Sequence, residues 1–549
     1  MYNLGLVLKS EQNWHDAIDT LYRAAWDYEY ASAAYYQLAQ TSCLMGNSAK
    51  ALQEARMAVK YNGMNIDAKN LVTSLLRKTG LREKAIQMAK DVAEFDPLNF
   101  YATRELSIMG AIPTQDYSKL LRGESESYLD LALYYMNNGF MDDCKAVLLE
   151  AESIKPYPTV EYYLGYLADS DGNREDALSW FKSAESLSTD YIYPFRLETA
   201  SVLELALKYI PESANTWYYL GNLWFQKRPE LALNCWLKAT EIDSEFAMAL
   251  RNIGWAYRFR NEGKPYKDAS DYNTAIEYYM KAIAADKDGN ALFLAECDEI
   301  MEQINAPLED RYNLFNGREE HYQKRYDSET KAIKQRILHG EYVEVLEPLT
   351  TRFYSRREHI EDLHDIYVDA CLLSGFKAWS YGDDHKALEY MMMANEYPAN
   401  IGYAHLEYDA RDAQVYYNIG LAYEKIGDKT SANEWYKKAS EVEVKDKDAV
   451  YLYEKGLAMK KLDPKVDFKS LYKHILECGK SMETEYYNTF FESFDHGPFE
   501  QDINAVAYYT QGIANLALGK NGAARNAFRK ALEQRNDNVW ANYYLGNMK

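Results

Sequence analysis

Helix-breaking residues are scarce in this chain: 13 prolines and 27 glycines are spread over 549 residues. A chain so poor in both favours long runs of helix over a β-rich or low-complexity architecture. Its six cysteines, Cys43, Cys144, Cys235, Cys297, Cys371 and Cys478, stand far apart and form no Cys-x-x-Cys pair. A zinc or dithiol motif is therefore not expected. Each cysteine sits where a small buried residue is wanted, and a reducing, cytoplasmic setting is the simpler expectation. No stretch approaches the roughly 20 apolar residues of a membrane span, and no charged-then-apolar leader opens the chain. Basic charge is short as well: 62 Lys and Arg against 84 Asp and Glu leave −22. That balance excludes the dominant cationic field that nucleic acid or an anionic membrane surface requires.

Catalytic signatures are missing too. The chain has no His-Glu-x-x-His, no Gly-x-x-x-x-Gly-Lys-Ser/Thr and no Gly-x-Ser-x-Gly. His359 and His364 are five apart, off the i, i+4 spacing that puts two ligands on one helix face. Acid pairs such as Glu319-Glu320 and Asp383-Asp384 read as solvated faces in so acidic a chain. His496 lies in a Phe-rich connector with no evident partner. No catalytic residue, metal or cofactor is expected.

Tyrosine is abundant, at 50 residues, and it recurs in one phrase. Tyr-Tyr followed shortly by Gly appears at Tyr162 to Gly165, Tyr218 to Gly221, Tyr416 to Gly420, Tyr508 to Gly512 and Tyr543 to Gly546, and Tyr2-Asn3-Leu4-Gly5 opens the chain in the same manner. Near the start the phase is strict. Gly5, Ala39 and Thr73 follow a 34-residue step, and so do Ala17, Ala51 and Ala85. A chain of this length exceeds the roughly 250–300 residues at which single cores stop growing, so an extended array or several domains is required. Each unit reads as two amphipathic helices: a Gly in the first and an early Ala in the second permit close approach, and a large residue four positions on fills the gap.

This pattern resembles the tetratricopeptide repeat family over most of the chain. Trp217 to Trp224 leads into Ala232, Trp236 and Ala239; Tyr416 to Tyr423 leads into Ala432, Tyr436 and Ala439. Tyr508 to Asn515 and Tyr162 to Ala168 are followed in the same way by Ala524, Phe528 and Ala531, and by Ala177, Phe181 and Ala184. Pro97 and Pro156 fall where such a unit ends. The resemblance implies an all-α solenoid of helix-turn-helix repeats wound into a right-handed superhelix. The expected divisions are 1–303 as an N-terminal solenoid with irregular units at 98–123 and 190–212, 304–330 as an irregular connector, and 331–549 as a C-terminal solenoid interrupted at 484–503. An insertion is expected between Arg258 and Asn273. Leu21-Tyr22-Arg23-Ala24-Ala25-Trp26 further resembles the repeat half of large bacterial proteins that carry a mutarotase-like β-sandwich ahead of such repeats. A missing N-terminal domain is the corresponding expectation.

Stacked repeats offer a concave groove walled by their first helices. By the resemblance, Tyr36, Tyr162, Tyr218, Arg251, Tyr417, Tyr509 and Tyr543 face it, with Gln40, Tyr166, Asn222, Trp255, Leu421, Ile513 and Asn547 one turn later. Tyr, Trp and Arg are common anchors of protein interfaces. The sharpest patch is Tyr218, Asn222, Arg251, Trp255 and Arg258: Asn suits a peptide backbone and two Arg suit a carboxylate, unless both Arg pair with nearby acids. The positions matching a chaperone-tail clamp in the first three units, such as Tyr2, Tyr36, Gln40 and Asn70, lack its positive charges. The expected function is a non-catalytic scaffold holding a protein or peptide in an aromatic groove. A carbohydrate-binding accessory module and a self-assembling structural arm are the alternatives.

Overall fold

The computed structural model describes residues 1–260, 269–354, 363–405, 407–465, 467–482 and 500–548. Among them are 31 α-helices and no strand, arranged as a helical repeat solenoid. His359, His496, most of the 484–503 connector and the centre of the 258–273 insertion lie outside the described residues. Among the described residues no helix is long and apolar enough to cross a membrane.

A recurring pair of residues makes the turn inside a repeat. Gly46, Gly172, Gly382 and Gly427 adopt φ between 77° and 90°, which ends the first helix in the left-handed region where a Cβ is penalised. The next residue then caps the second helix. Asn47 accepts from Lys50 N, Asn173 from Asp176 N, Asp383 from Lys386 N and Asp428 from Ser431 N. Each cap satisfies one of the backbone donors that a helix start leaves unpaired.

The glycine of the recurring phrase does a different job. A Cβ on Gly5 would come within 2.7 Å of Leu21, one on Gly165 within 2.5 Å of Phe181, one on Gly221 within 2.5 Å of Trp236 and one on Gly420 within 2.7 Å of Tyr436. Every partner is the large residue of the second helix in the same repeat. Leu21 and Phe181 are fully buried, and Trp236 and Tyr436 nearly so. Burying such a side chain contributes about 1.5–3 kcal/mol, and only Gly leaves room for it. Ala17, Ala51 and Ala85, the 34-residue series, are buried without remainder.

The chain falls into two compact units, Met1–Ser244 and Glu245–Lys549. In the first, residues 98–123, expected as an irregular unit, hold two short helices, Phe100–Ile108 and Thr114–Leu121. Pro113 stands at the cap of the second, where its fixed φ starts a helix instead of breaking one. Residues 190–212 contribute a single helix, Thr199–Tyr209.

Residues 304–330, expected as a connector between halves, lie inside the second unit. They form helices Leu308–Phe315 and Glu319–Tyr322 and the start of Tyr326–Leu338. Their polarity has a structural cause. Arg311, 1% exposed, is clasped by Asp298 through Nε at 2.7 Å and Nη2 at 2.9 Å, and its Nη1 reaches Asp537 at 3.0 Å. Lys334 adds a second contact to Asp537 at 3.1 Å. Asn305 Nδ2 donates to the carbonyls of Leu532 and Glu533, each at 3.2 Å, and Arg535 Nη1 donates to the Glu302 carbonyl at 2.9 Å. The end of the second unit thus meets residues 302–311 of the same unit along a polar seam that is buried at Arg311 and Asp537.

Candidate binding pocket

Closure of the second unit builds a cavity. Four helices each present one face to it: Leu363–Ser380 gives Phe376, Trp379 and Ser380, and Asp412–Lys425 gives Gln414, Tyr417, Asn418 and Leu421. Leu452–Leu462 gives Tyr453, Glu454 and Leu457, and Val539–Asn547 gives Trp540, Tyr543 and Tyr544. Within each helix every one of these residues has another three or four positions away, the spacing that aligns side chains on one face. The cavity holds about 460 Å³, within the range of ligand sites.

Seven of the lining residues are aromatic, and the last helix is fastened through them. Phe376 stacks on Tyr543 with ring centroids 5.3 Å apart, and it meets Trp540 edge-on at 6.2 Å. Trp540 Nε1 donates to Asp369 Oδ1 at 2.6 Å. Asp369 also pairs with Arg411, whose Nη1 contacts Asp365 at 2.5 Å, so this buried guanidinium is matched by two carboxylates.

Polar groups at the cavity are few and unusual. Glu454 is 6% exposed, and burial pushes its carboxyl up to about 8, against weaker opposing pulls from its own backbone N–H, Arg411 and Gln414. Gln414 is 3% exposed with Oε1 buried and unpartnered; Trp379 Nε1 is likewise buried without an acceptor. Unpaired buried polar atoms are costly, and at a cavity wall they are groups a ligand can satisfy. Burial, with Glu454 and Glu424 nearby, holds the Tyr417 phenol at about 12, so it remains a neutral donor at ordinary pH.

The residues expected to form a groove distribute unevenly. Tyr417 lines the cavity, together with Leu421 and Tyr543 of the same rows. Tyr162 is wholly buried, its hydroxyl 2.7 Å from Thr216 Oγ1 and its ring against Phe181 and Tyr219. Tyr218, 2% exposed, packs on Tyr219. For these two the expectation of an open wall is corrected: both are buried, and the Tyr162 phenol ties its repeat to the helix that carries Thr216. Asn222 Oδ1 accepts from Trp236 Nε1 at 3.0 Å, which seats the large residue of its own repeat. Arg251 donates to Glu296 through Nε at 2.7 Å and again through Nη2, and Arg258 pairs with Glu299 at 2.7 Å. Both arginines are thereby matched by acids within the second unit. Trp255 is half-buried with its ring 4.2 Å from Phe259; Tyr166 is half-buried; Tyr509 is half-buried beside Phe528. Tyr218 and Asn222 belong to the first unit, and Arg251, Trp255 and Arg258 to the second.

Several pocket residues escaped sequence reasoning: Phe376, Trp379, Gln414, Tyr453, Glu454, Trp540 and Tyr544. The i, i+3, i+4 spacing around Tyr417 and Tyr543 was a usable signal for two of them, Gln414 and Trp540. Glu454 carried none, since nothing local distinguishes it among 84 acids.

Two other places have binding chemistry. In the first unit a cavity of about 300 Å³ is lined by Asp67, Asn70, Asp96, Tyr101, Asp130 and Tyr134, among others. In the second, Asp446, His474 and Cys478 bring one donor atom each within 4.8 Å of one another, a set able to hold a metal ion. His474 and Cys478 are at i, i+4 on one helix, a pair that motif searching had passed over. His364, by contrast, stacks on Tyr397 at 3.8 Å and donates from Nε2 to the Glu396 carbonyl at 3.3 Å.

The family model described as a tetratricopeptide repeat matches residues 261–288, 413–443 and 505–538. The chain carries tetratricopeptide repeats. The second match contains Gln414, Tyr417, Asn418 and Leu421 of the pocket wall together with Tyr436, the partner of Gly420. No curated protein sequence matches the chain. Among solved structures, that of MamA is 18% identical over 39% of this chain and 94% of its own, with a TM-score of 0.15. YrrB, described as a TPR protein with an unusual peptide-binding site, is 15% identical over 45% of this chain and 97% of its own, with a TM-score of 0.17. The APC/C hetero-tetramer Cut9-Hcn1 is 15% identical over 94% of this chain and 96% of its own, with a TM-score of 0.23.

Proposed function

We propose that this tetratricopeptide-repeat chain is a binding scaffold for a protein or peptide partner, and that the aromatic cavity of its second unit holds a segment of that partner. Tetratricopeptide folds typically engage protein or peptide partners. The observation that carries the site assignment is convergence: four helices turn one face each toward a single cavity with seven aromatic side chains and two unsatisfied polar atoms. Aromatic walls give large contact area at little cost in rotamer entropy, and the polar atoms select among ligands.

The direct test is a peptide array probed with the whole chain and with Trp379→Ala and Tyr543→Ala. Both variants should lose the bound peptides while circular dichroism keeps the helical signal. Binding that survives both substitutions would place the site elsewhere.

A further inference from the structure

We infer that the cavity of the second unit recognises an alkylammonium group, of the kind a lysine side chain of the partner presents. This deepens the function proposed above and rests on it. An ammonium placed among aromatic faces is attracted by the negative faces of the rings, more strongly when water is excluded. The cavity offers Trp379, Tyr417, Tyr453 and Tyr543 for that purpose. Trp379 already shows the preference, since the ammonium of Lys425 rests 4.9 Å from its ring centroid.

The second half of the recognition is a carboxylate. Glu454 lines the same cavity, 6% exposed, with no ion pair to any Lys or Arg among the described residues. The nearest guanidinium that bears on it, Arg411, is matched by Asp365 and Asp369. Burial holds the Glu454 carboxyl protonated up to about pH 8, so an incoming ammonium binds as that acid releases its proton to solvent, and no Lys or Arg ion pair competes for the carboxylate. Gln414 Oε1, buried and without a donor, supplies a neutral acceptor for one of the ammonium's remaining protons. The indole N–H of Trp379, buried without an acceptor, suits a carbonyl of the same segment. A chain of charge −22 also attracts cationic segments at long range.

A sugar also likes aromatic faces, but it gives Glu454 no opposite charge. A carboxylate or phosphate would be repelled by that residue once it is ionised, above about pH 8. An amine on an aliphatic stem answers Glu454 and Gln414, and a carbonyl of the same segment answers Trp379.

The test uses n-butylammonium chloride as probe, 1-butanol as its neutral isostere and maltose as a sugar, each titrated into the whole chain above pH 8, where Glu454 ionises, and followed by ligand-observed NMR. Butylammonium should bind, 1-butanol should bind at least tenfold more weakly, and Glu454→Gln, which preserves shape, should erase the difference. Equal binding of alcohol and ammonium, an unchanged preference in Glu454→Gln, or maltose binding in place of the amine would overturn the inference. The unmodified chain gives the amine-to-alcohol ratio without any variant, so a folding defect cannot obscure it. The array separates the two readings. Peptides lost in Trp379→Ala but bound regardless of lysine content would keep the partner site and reject the amine. Amine binding with no peptide captured would do the reverse.

Discussion

Asn305 and Asn536 hold each other by backbone and side chain at once: Asn536 N donates to Asn305 Oδ1 at 2.7 Å, and Asn536 Nδ2 donates to the Asn305 carbonyl at 3.1 Å. Asn305 adopts φ 54°, a left-handed conformation that Asn tolerates better than most residues. With Arg311 and Asp537 beside them, these residues close the second unit. Asp537→Ala would leave Arg311 with only part of its counter-charge in a dry site. We expect it to lower the stability of the second unit by about 3 kcal/mol, the order found when one partner of a buried pair is removed. Urea unfolding followed by tryptophan fluorescence would report it, since Trp540 follows three residues later. An unchanged midpoint would mean that the seam contributes little.

Two glycines of the recurring phrase should respond in opposite directions. Gly420→Ala drives a methyl toward the Tyr436 ring, with a Cβ only 2.7 Å from it, and should cost about 1–3 kcal/mol through overpacking. Gly546 has nothing within 4 Å of its Cβ position. Its replacement by Ala should be neutral or stabilising by a few tenths of a kcal/mol up to about 1, from helix propensity alone. Thermal melts of the two variants check this; equal destabilisation would refute the packing role assigned to Gly420.

Stability of the second unit should fall as pH rises from about 5 towards 8. Burial raises Glu454 to about 8 and Glu329 to about 7, whereas both titrate near 4.3 when unfolded. A carboxyl raised on folding binds its proton more tightly in the native state. Its contribution is present in full below the unfolded value and is lost as pH climbs through the folded one. The tyrosines facing Glu454 (Tyr417, Tyr453, Tyr472, Tyr509 and Tyr544) are all raised above their ordinary value, and Arg411 is raised well above its own, so none titrates in this window. Asp537, lowered by Lys334 and Arg311, acts below the usual carboxylate range instead. Glu454→Gln should flatten the slope, whose limit is roughly 1.4 kcal/mol per pH unit for one group. Denaturation midpoints at pH 5, 6.5 and 8 for both proteins decide it. A parallel pair of curves would deny Glu454 the role.

The thiols should be inert in the folded chain. All six cysteines are free, and Cys144, Cys297 and Cys371 have no measurable exposure. Burial pushes the Cys144 thiol up to about 12, and raises Cys297 and Cys371 further, so the reactive thiolate is suppressed. Titration with a disulfide reagent near neutral pH should find these three only after denaturant is added. Their rapid modification in the native chain would contradict the packing.

The repeats were legible because their defining contact is short in sequence. Gly165 meets Phe181 and Gly420 meets Tyr436 within one helix pair, so the spacing that forms the contact is the spacing that is read. The same holds for the Gly-Asn and Gly-Asp turns. The pocket was only partly legible. Tyr417 and Tyr543 stood out by repeat register, but the last helix joins the wall through contacts distant in sequence: Trp540 with Asp369, and Asn536 and Asp537 with Asn305 and Arg311, more than two hundred residues earlier. Polar seams leave no periodic trace, and a stretch such as 304–330 reads as poor repeat for the very reason that its charges are spent internally. Register also misplaced Tyr162 and Tyr218. Whether a phenol lines a groove or fills a joint depends on the next repeat, where Thr216 supplied the partner for Tyr162.

A stack of helices with a free end flexes like a spring, and a ligand that draws it tight must offset the motion it arrests. In the second unit the last helix is held from within the chain, Trp540 by Asp369 and Tyr543 by Phe376. The proposed recognition surface would then be preformed. Encounter should cost little conformational entropy, and differences in affinity among ligands should show mainly in how slowly they leave.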